Sequence, residues 1–306
     1  MTLTIPRSLS PSRITNFKDC PLAFKFSVID GLPEPPSIHA VRGTLMHRAL
    51  ERLFWEMSPG RRTRDRASEL LAFELKAMAY DDPDLVDLAL SQEESAKLRK
   101  EGEALLDGYF SLEDPDGVDA VGLELALEAE VAGVKMRGII DRLDRTASGD
   151  LVITDYKTGR APGDGYERSR LTGVNIYALL CEEVLGVRPA AVRLVYLKAP
   201  CTITSVPSAQ MIESVRRNVH ALWQAILRAC ELDDFRPRPS GLCNWCGFRQ
   251  FCPAFAATNV AGGGGGGTSE SRGRDASGGS KCQGGNGRRD GGKGSAASGG
   301  SGGTGN

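Results

Sequence analysis

The sequence predicts an α/β domain built on a mixed central sheet flanked by helices. Three observations lead there. The periodic segments run as helices, then a strand meander, then a helix–strand–helix series. Two β-branched runs flank a short turn at Ser148-Gly149-Asp150, which reads as a β-hairpin. The end of the 306-residue chain is too rich in glycine to join any core.

Taken in order, Ser10-Pro11 supplies an N-cap and an N1 proline for a helix expected to run to about Ile29. A second helix over Val41–Met57 carries His47 and Glu51 on one face, four residues apart. Charge-rich helices follow at about 65–80 and 84–110, with Pro83 between them. Strands are expected near 121–130, 134–145 and 150–157. A helix over 168–186, a strand over 190–198 and a long helix over 208–232 complete the domain. There is no internal repeat. The domain is placed at 1–258 and a Gly/Ser-rich tail, expected to be disordered, at 259–306.

The formal charge is −1. Any attraction for phosphate must therefore be local. Arg61, Arg62, Arg64 and Arg66 form one basic cluster, which reads better as a solvated helix start. Neither a long apolar run nor a signal-peptide pattern is present, so a cytoplasmic protein without membrane association is expected. Gly287, Gly292 and Lys293 have the spacing of a phosphate-binding P-loop. Gly294, however, stands where a Ser or Thr must hold Mg²⁺, and no strand or helix flanks the segment. ATP binding is not expected.

The hairpin carries the chemistry. Asp141 and Asp155 are equally distant from Ser148, so a turn centred there sets their carboxylates opposite each other across the ladder. Lys157 lies two residues beyond Asp155 and points to the same face. Two such acids repel unless a cation lies between them, and hard oxygen donors suit Mg²⁺ or Mn²⁺. Such an ion activates water and polarises phosphoryl oxygens, and a neighbouring lysine stabilises developing negative charge. The plainer alternative is a surface hairpin in which Asp141, Arg142, Asp144, Arg145 and Lys157 form ordinary ion pairs.

Cys243, Cys246 and Cys252-Pro253 form a triplet that needs a fourth ligand, and Cys20-Pro21 is the obvious donor. The spacing alone leaves a 4Fe–4S cluster, zinc or no metal open. A group joining residue 20 to residues 243–252 would staple the two ends of the domain. Cys181, Cys201 and Cys230 read as core residues and Cys282 as a free thiol in the tail. His47 alone reads as structural, but an imidazole can join carboxylates around Mn²⁺, with Glu51 one turn on to orient it. His39 and His220 have no such setting.

Five ordered pieces resemble the RecB-family nucleases of the PD-(D/E)XK superfamily, especially small exonuclease-like proteins of actinobacteria. They are Leu9-Ser-Pro-Ser-Arg-Ile-Thr-Asn-Phe-Lys-Asp-Cys20-Pro21, Arg42-Gly-Thr-Leu-Met-His47, Gly138-Ile-Ile-Asp141-Arg142, Asp155-Tyr-Lys157-Thr-Gly159 and the cysteine triplet. The resemblance implies a restriction-endonuclease-like fold. It makes His47, Asp141, Asp155 and the backbone carbonyl of Tyr156 ligands of a catalytic Mg²⁺ or Mn²⁺, and Lys157 the catalytic lysine. It makes Cys20, Cys243, Cys246 and Cys252 ligands of a 4Fe–4S cluster. The implied activity is a metal-dependent DNA nuclease, an exonuclease on single-stranded ends in repair or recombination, working on opened ends or with a helicase partner. Glu51 and Tyr177 fall in supporting positions around substrate and metal.

One position departs from the family. Its helix motif Gln-x3-Tyr keeps Tyr177 here, but Gly173 replaces the glutamine. Glycine supplies no side-chain hydrogen bond, and Thr172 and Asn175 differ from it in reach and register. The departure favours an alternative reading, a non-catalytic DNA-end binding module of the same fold.

Overall fold

The computed structural model describes residues 3–161 and 167–256, with backbone alone for 167–172 and 256. The first expected helix is broken at Cys20, whose φ of −157° and ψ of 107° are extended. Pro21 is the cause, because a residue preceding proline is sterically excluded from helical geometry. Helix α1 is Pro11–Asp19, capped by the Ser10 hydroxyl, which accepts the Arg13 N–H. Helix α2, Pro21–Phe24, starts on the proline and runs into a π-helical turn over Lys25–Ile29.

Four helices follow: α3 Ile38–Glu56, α4 Arg64–Asp81, α5 Pro83–Leu88 and α6 Gln92–Leu112. The stretch expected as one helix over 84–110 is thus two. Ala89 ends α5 in the left-handed region at φ 46°, and a reciprocal Ser91–Glu94 cap starts α6.

The sheet has five strands in the order β1-β2-β3-β4-β5: Asp119–Val131, Val134–Arg145, Leu151–Lys157, Ala191–Tyr196 and Cys201–Ser205. Its pairs are antiparallel except β3 with β4, which are parallel and joined by α7, Glu167–Leu185. Strand β5 was not expected from the sequence. Helices α8, Ala209–Leu232, and α9, Pro253–Ala256, complete the described chain. The β2–β3 register runs from Arg145↔Leu151 to Arg142↔Thr154. Asp141 and Asp155 therefore stand at the next position, as the turn predicted.

The sheet separates two apolar cores. One joins Leu9 and Phe24 to Met136, Ile140, Ile153, Leu180 and Val219, under α1, α7 and α8. Cys181, Cys201 and Cys230 lie in it, as expected. The other joins Leu45, Leu50, Leu71, Leu106 and Tyr109 of the helical layer to Tyr156 and Val195.

Strands β1 and β2 change allegiance between the cores. Leu125 and Ile140 pair and belong with the first core, whereas Leu123 packs on the second and Arg142, its partner, turns to the same side. Residues two apart on a strand ordinarily share a face. The reversal occurs at Glu124, which takes φ +41°, left-handed backbone that a side chain adopts only under strain. The register sets Glu124 opposite Asp141 at this point.

Candidate active site

Three elements meet where the sheet changes faces. Helix α3 brings His47, β1 brings Glu124, and β2 brings Asp141. Nδ1 of His47 lies 3.5 Å from Asp141 Oδ1 and 3.7 Å from Glu124 Oε1. Its Nε2 lies 3.2 Å from the carbonyl oxygen of Tyr156. The second Asp141 oxygen, Oδ2, accepts the Tyr156 N–H at 2.7 Å, taking the place of the next ladder bond. Tyr156 is thus held through both its backbone groups.

Ligand-capable atoms of His47, Glu124 and Asp141 all lie within 4.8 Å of one another. Donors at right angles around an Mg²⁺-sized ion stand about 3 Å apart, from bonds of about 2.1 Å. Two carboxylates and the imidazole Nδ1 at these spacings fit a hard divalent cation, while the Tyr156 carbonyl faces the other ring nitrogen, Nε2. Asp155, 4% exposed, is the next acid along, and its Oδ2 forms an ion pair with Lys157.

The charges are strongly coupled. Burial works against the His47 imidazolium, but Asp141 and Glu124 outweigh it and raise its pKa to about 10. Burial pushes the Asp155 carboxyl up, Lys157 pulls it back, and Asp141 adds repulsion. Burial opposes the Lys157 ammonium, yet Asp155 and Asp141 raise its pKa overall. The Tyr177 hydroxyl is raised by burial and then by Asp155, Asp141 and Glu124, which places it within their field.

A buried ionic network backs the site. Arg142 is 0% exposed. It donates to Glu113 at 2.7 and 2.8 Å, to Asp144 at 2.7 and 3.0 Å, and to the Tyr156 hydroxyl at 2.6 Å. Tyr109 donates to Glu113, Thr154 donates to Asp144, and the Arg142 guanidinium lies over the Phe54 ring. A buried charge is tolerated when its donors are satisfied in this way. The surface-hairpin alternative fails here, because Arg142 and Asp144 are interior; Arg145, which pairs with Asp119, alone among them forms a plain exposed pair.

A family profile of the PD-(D/E)XK nuclease superfamily matches residues 8–253. The chain belongs to the PD-(D/E)XK nuclease superfamily. It is 26% identical over 271 residues to the gene 69 protein of Mycobacterium phage D29, covering 80% of this chain and 96% of that protein. It is 29% identical over 171 residues to an ATP-dependent helicase/deoxyribonuclease subunit of Streptococcus equi subsp. zooepidemicus, covering 50% of this chain and 14% of that one. A crystal structure of a protein provisionally named an exonuclease, from Eubacterium rectale, superposes with a TM-score of 0.47 at 12% identity, covering 84% of this chain and 94% of the other.

Within this nuclease fold, the structure brings His47, Asp141, Asp155, Tyr156 and Lys157 to one place. Glu124 was missed by sequence reasoning. Its signal was available, since Glu124 and Asp141 are equidistant from the Ala132-Gly133 turn. Glu51 shares a small cavity with His47, Gly43 and Glu124, while the groups reaching the imidazole are Asp141, Glu124 and the Tyr156 carbonyl. Asn175 does not replace the family's glutamine, because it is buried and accepts from Ser205 at 3.1 Å. The Thr172 side chain lies outside the described residues. So does Cys282, with the discarded P-loop.

Cys20, Cys243, Cys246 and Cys252 line one cavity together with Asp155 and Lys157. Their sulfurs form no group as close as the His47 set. Burial raises the Cys246 thiol, and the charges of Cys20, Cys243 and Cys252 raise it further, so the four share a local field. Arg62 and Arg64 of the arginine cluster are committed to structure: Arg62 donates to the carbonyls of Met57, Pro115 and Val118, and Arg64 pairs with Glu103 and Asp107. Among the described residues, no helix is long and apolar enough to cross a membrane.

Proposed function

We propose that this chain is an Mg²⁺- or Mn²⁺-dependent deoxyribonuclease that hydrolyses phosphodiester bonds at single-stranded DNA ends. The observation that carries the reading is the convergence of His47, Glu124 and Asp141 beside the Asp155–Lys157 pair. His47, Asp141, Asp155 and the Tyr156 carbonyl would hold the cation, with Glu124 added to them. The cation supplies Lewis acidity toward the phosphodiester and toward water.

The remaining work falls to the chain itself. Lys157, partly exposed at the cavity, places its ammonium where charge builds on the phosphoryl oxygens. Asp155 holds that ammonium in place. Arg142 fixes the Tyr156 ring from behind, so the segment carrying Asp155 and Lys157 is set before substrate arrives. Tyr177, in the same cavity, is positioned to meet the substrate.

The domain is taken as 1–258. Its ends are held together by a 4Fe–4S cluster on Cys20, Cys243, Cys246 and Cys252. The four cysteines lining one cavity, with a proline after Cys20 and after Cys252, support a shared group there. Brown protein after anaerobic purification supports the cluster; a colourless protein with stoichiometric zinc overturns it. The similarity to a helicase/deoxyribonuclease component supports work on ends opened by a helicase partner, in DNA repair or recombination.

End-labelled single-stranded DNA with Mg²⁺ or Mn²⁺ tests the reading, with Asp155→Ala and Lys157→Ala compared against wild type. Metal-dependent shortening lost in both variants supports it, and equal activity in all three overturns it. Gly173 favours the second reading, a DNA-end binding module without catalysis. Wild type that binds ends and never shortens them would establish it.

A further inference from the structure

The cavity beside Lys157 extends well past the metal-binding residues. It measures about 1280 Å³, including the cysteine-lined part that the proposed cluster would occupy, and runs from Asp155 and Lys157 along α1 to the loop over 240–249. Lys18, Arg160, Arg238 and Arg249 line it, against Asp19 and Glu34. Its outer wall carries Trp245, 81% exposed, whose ring neighbour is the edge of His39 at 6.5 Å between centroids. An indole ordinarily buries a large apolar area. One left in solvent at the mouth of a basic cavity has a face to offer.

The loop presenting it is firmly held. Ser240 caps the 3₁₀ turn Gly241–Trp245 by accepting the Leu242 N–H. Gly247 lies against Pro35 so closely that a Cβ would fall 2.6 Å from its ring, and the Phe248 ring packs on Phe26 at 5.6 Å. The indole therefore stands on a preorganised support, which lowers the ordering cost of binding.

From this we infer that the cavity is the single-strand groove of the enzyme, and that Trp245 is a positioning residue on which an unpaired base stacks while the strand leads to Lys157. The inference rests on the nuclease reading for its direction, and on three observations for its occupant. The groove is continuous with the Asp155–Lys157 pair, its basic side chains outnumber the acidic ones, and its exposed aromatic stands on a capped turn packed against Pro35 and Phe26. Bases in a duplex already stack on one another, so a single indole platform selects unpaired strands, without preference for sequence.

The test uses the full-length protein and a fluorescein-labelled thymidine oligodeoxynucleotide without divalent metal, read by anisotropy, beside an abasic strand of equal length. Trp245→Ala is expected to weaken binding of the base-bearing strand about 5- to 100-fold, the loss of one base–aromatic stack. Trp245→Phe should retain most of the affinity, and all three proteins should bind the abasic strand alike. Unchanged affinity in Trp245→Ala, or an equal loss on the abasic strand, would overturn the inference. A loss in Trp245→Phe as large as in Trp245→Ala would also overturn it. The nuclease reading fails separately: wild type that binds through Trp245 yet cleaves nothing with Mn²⁺ leaves the groove standing, whereas active enzyme indifferent to Trp245 does the reverse.

Discussion

Glu124 and Asp141 face each other across the β1–β2 ladder where the sheet changes the core it packs against. Glu124 accepts φ +41° to stand there. Two acids opposed on a strained backbone are unfavourable twice over, so the arrangement costs stability and supplies ligands.

Replacing Glu124 separates the two effects. Glu124→Gln should lower Mn²⁺ affinity about 10–100-fold by isothermal titration, the scale seen when groups supporting a metal are lost. Glu124→Gly should lower it similarly while raising stability by about 1 kcal/mol, because glycine adopts positive φ freely. A less stable Glu124→Gly protein would refute the strain.

Arg142 neutralises Glu113 and Asp144 where all three are buried or nearly so. Arg142→Met should cost about 3–5 kcal/mol in urea denaturation, because two acids lose their shared partner. Tyr156→Phe, which removes one hydroxyl from the same guanidinium, should cost only about 1–2 kcal/mol. Equal losses would mean that the phenol, not the charge balance, holds the network.

Acid should loosen this network through Glu113. Burial opposes its charge, but hydrogen bonds and the field of Arg142 win and hold its pKa below the usual 4.5. The unfolded chain therefore takes up the proton at higher pH than the folded one. The stabilisation is complete above pH 4.5 and is lost as pH falls through the depressed folded value. Melting temperatures should accordingly fall more steeply below pH 5 in wild type than in Glu113→Gln, roughly the acid limb of this linkage. Parallel curves would remove Glu113 from the account.

Gly108 has no room for a side chain: a Cβ would lie 2.0 Å from the Leu197 carbonyl oxygen. Since the obstacle is backbone, α6 must shift away from the end of β4. Gly108→Ala should lose about 3 kcal/mol, at the upper end of overpacking costs, despite alanine's better helix propensity. Wild-type melting would show that this contact yields.

Gly173 is the opposite case, since a Cβ added there on α7 would meet nothing within 4 Å. Gly173→Ala should stabilise the protein by about 0.5–1 kcal/mol through helix propensity alone. Gly173→Gln should add an increase in kcat/KM on single-stranded DNA. If alanine and glutamine give the same activity, the family's glutamine has no counterpart role here.

The sequence carried the local features well and the long-range ones poorly. The β2–β3 register followed from a turn centred on Ser148, because a tight hairpin fixes pairing by counting. The α1 break followed equally from Pro21, but helical periodicity on both sides concealed it. Strand β5 was not legible, since Cys201-Thr-Ile-Thr-Ser205 is short and gains its strand character from pairing with β4. Glu124 was legible by counting from the Ala132-Gly133 turn to the position opposite Asp141, but the positive φ it takes there is encoded by no periodicity. Arg142 and Asp144 looked like surface charges, as burial of an ionic network depends on Glu113, Tyr109 and Phe54 arriving from distant helices.

The face reversal at Glu124 has a consequence for how the molecule comes together. His47 comes from α3 in the helical layer, whereas Glu124, Asp141 and Asp155 stand on the sheet. A sheet on which α3 has not docked owns a fraction of the ligand set and cannot grip a cation. The proposed hydrolysis thus acts as an AND gate on assembly: a copy lacking either part is inert, and DNA meets a working site only once α3 has closed on the sheet.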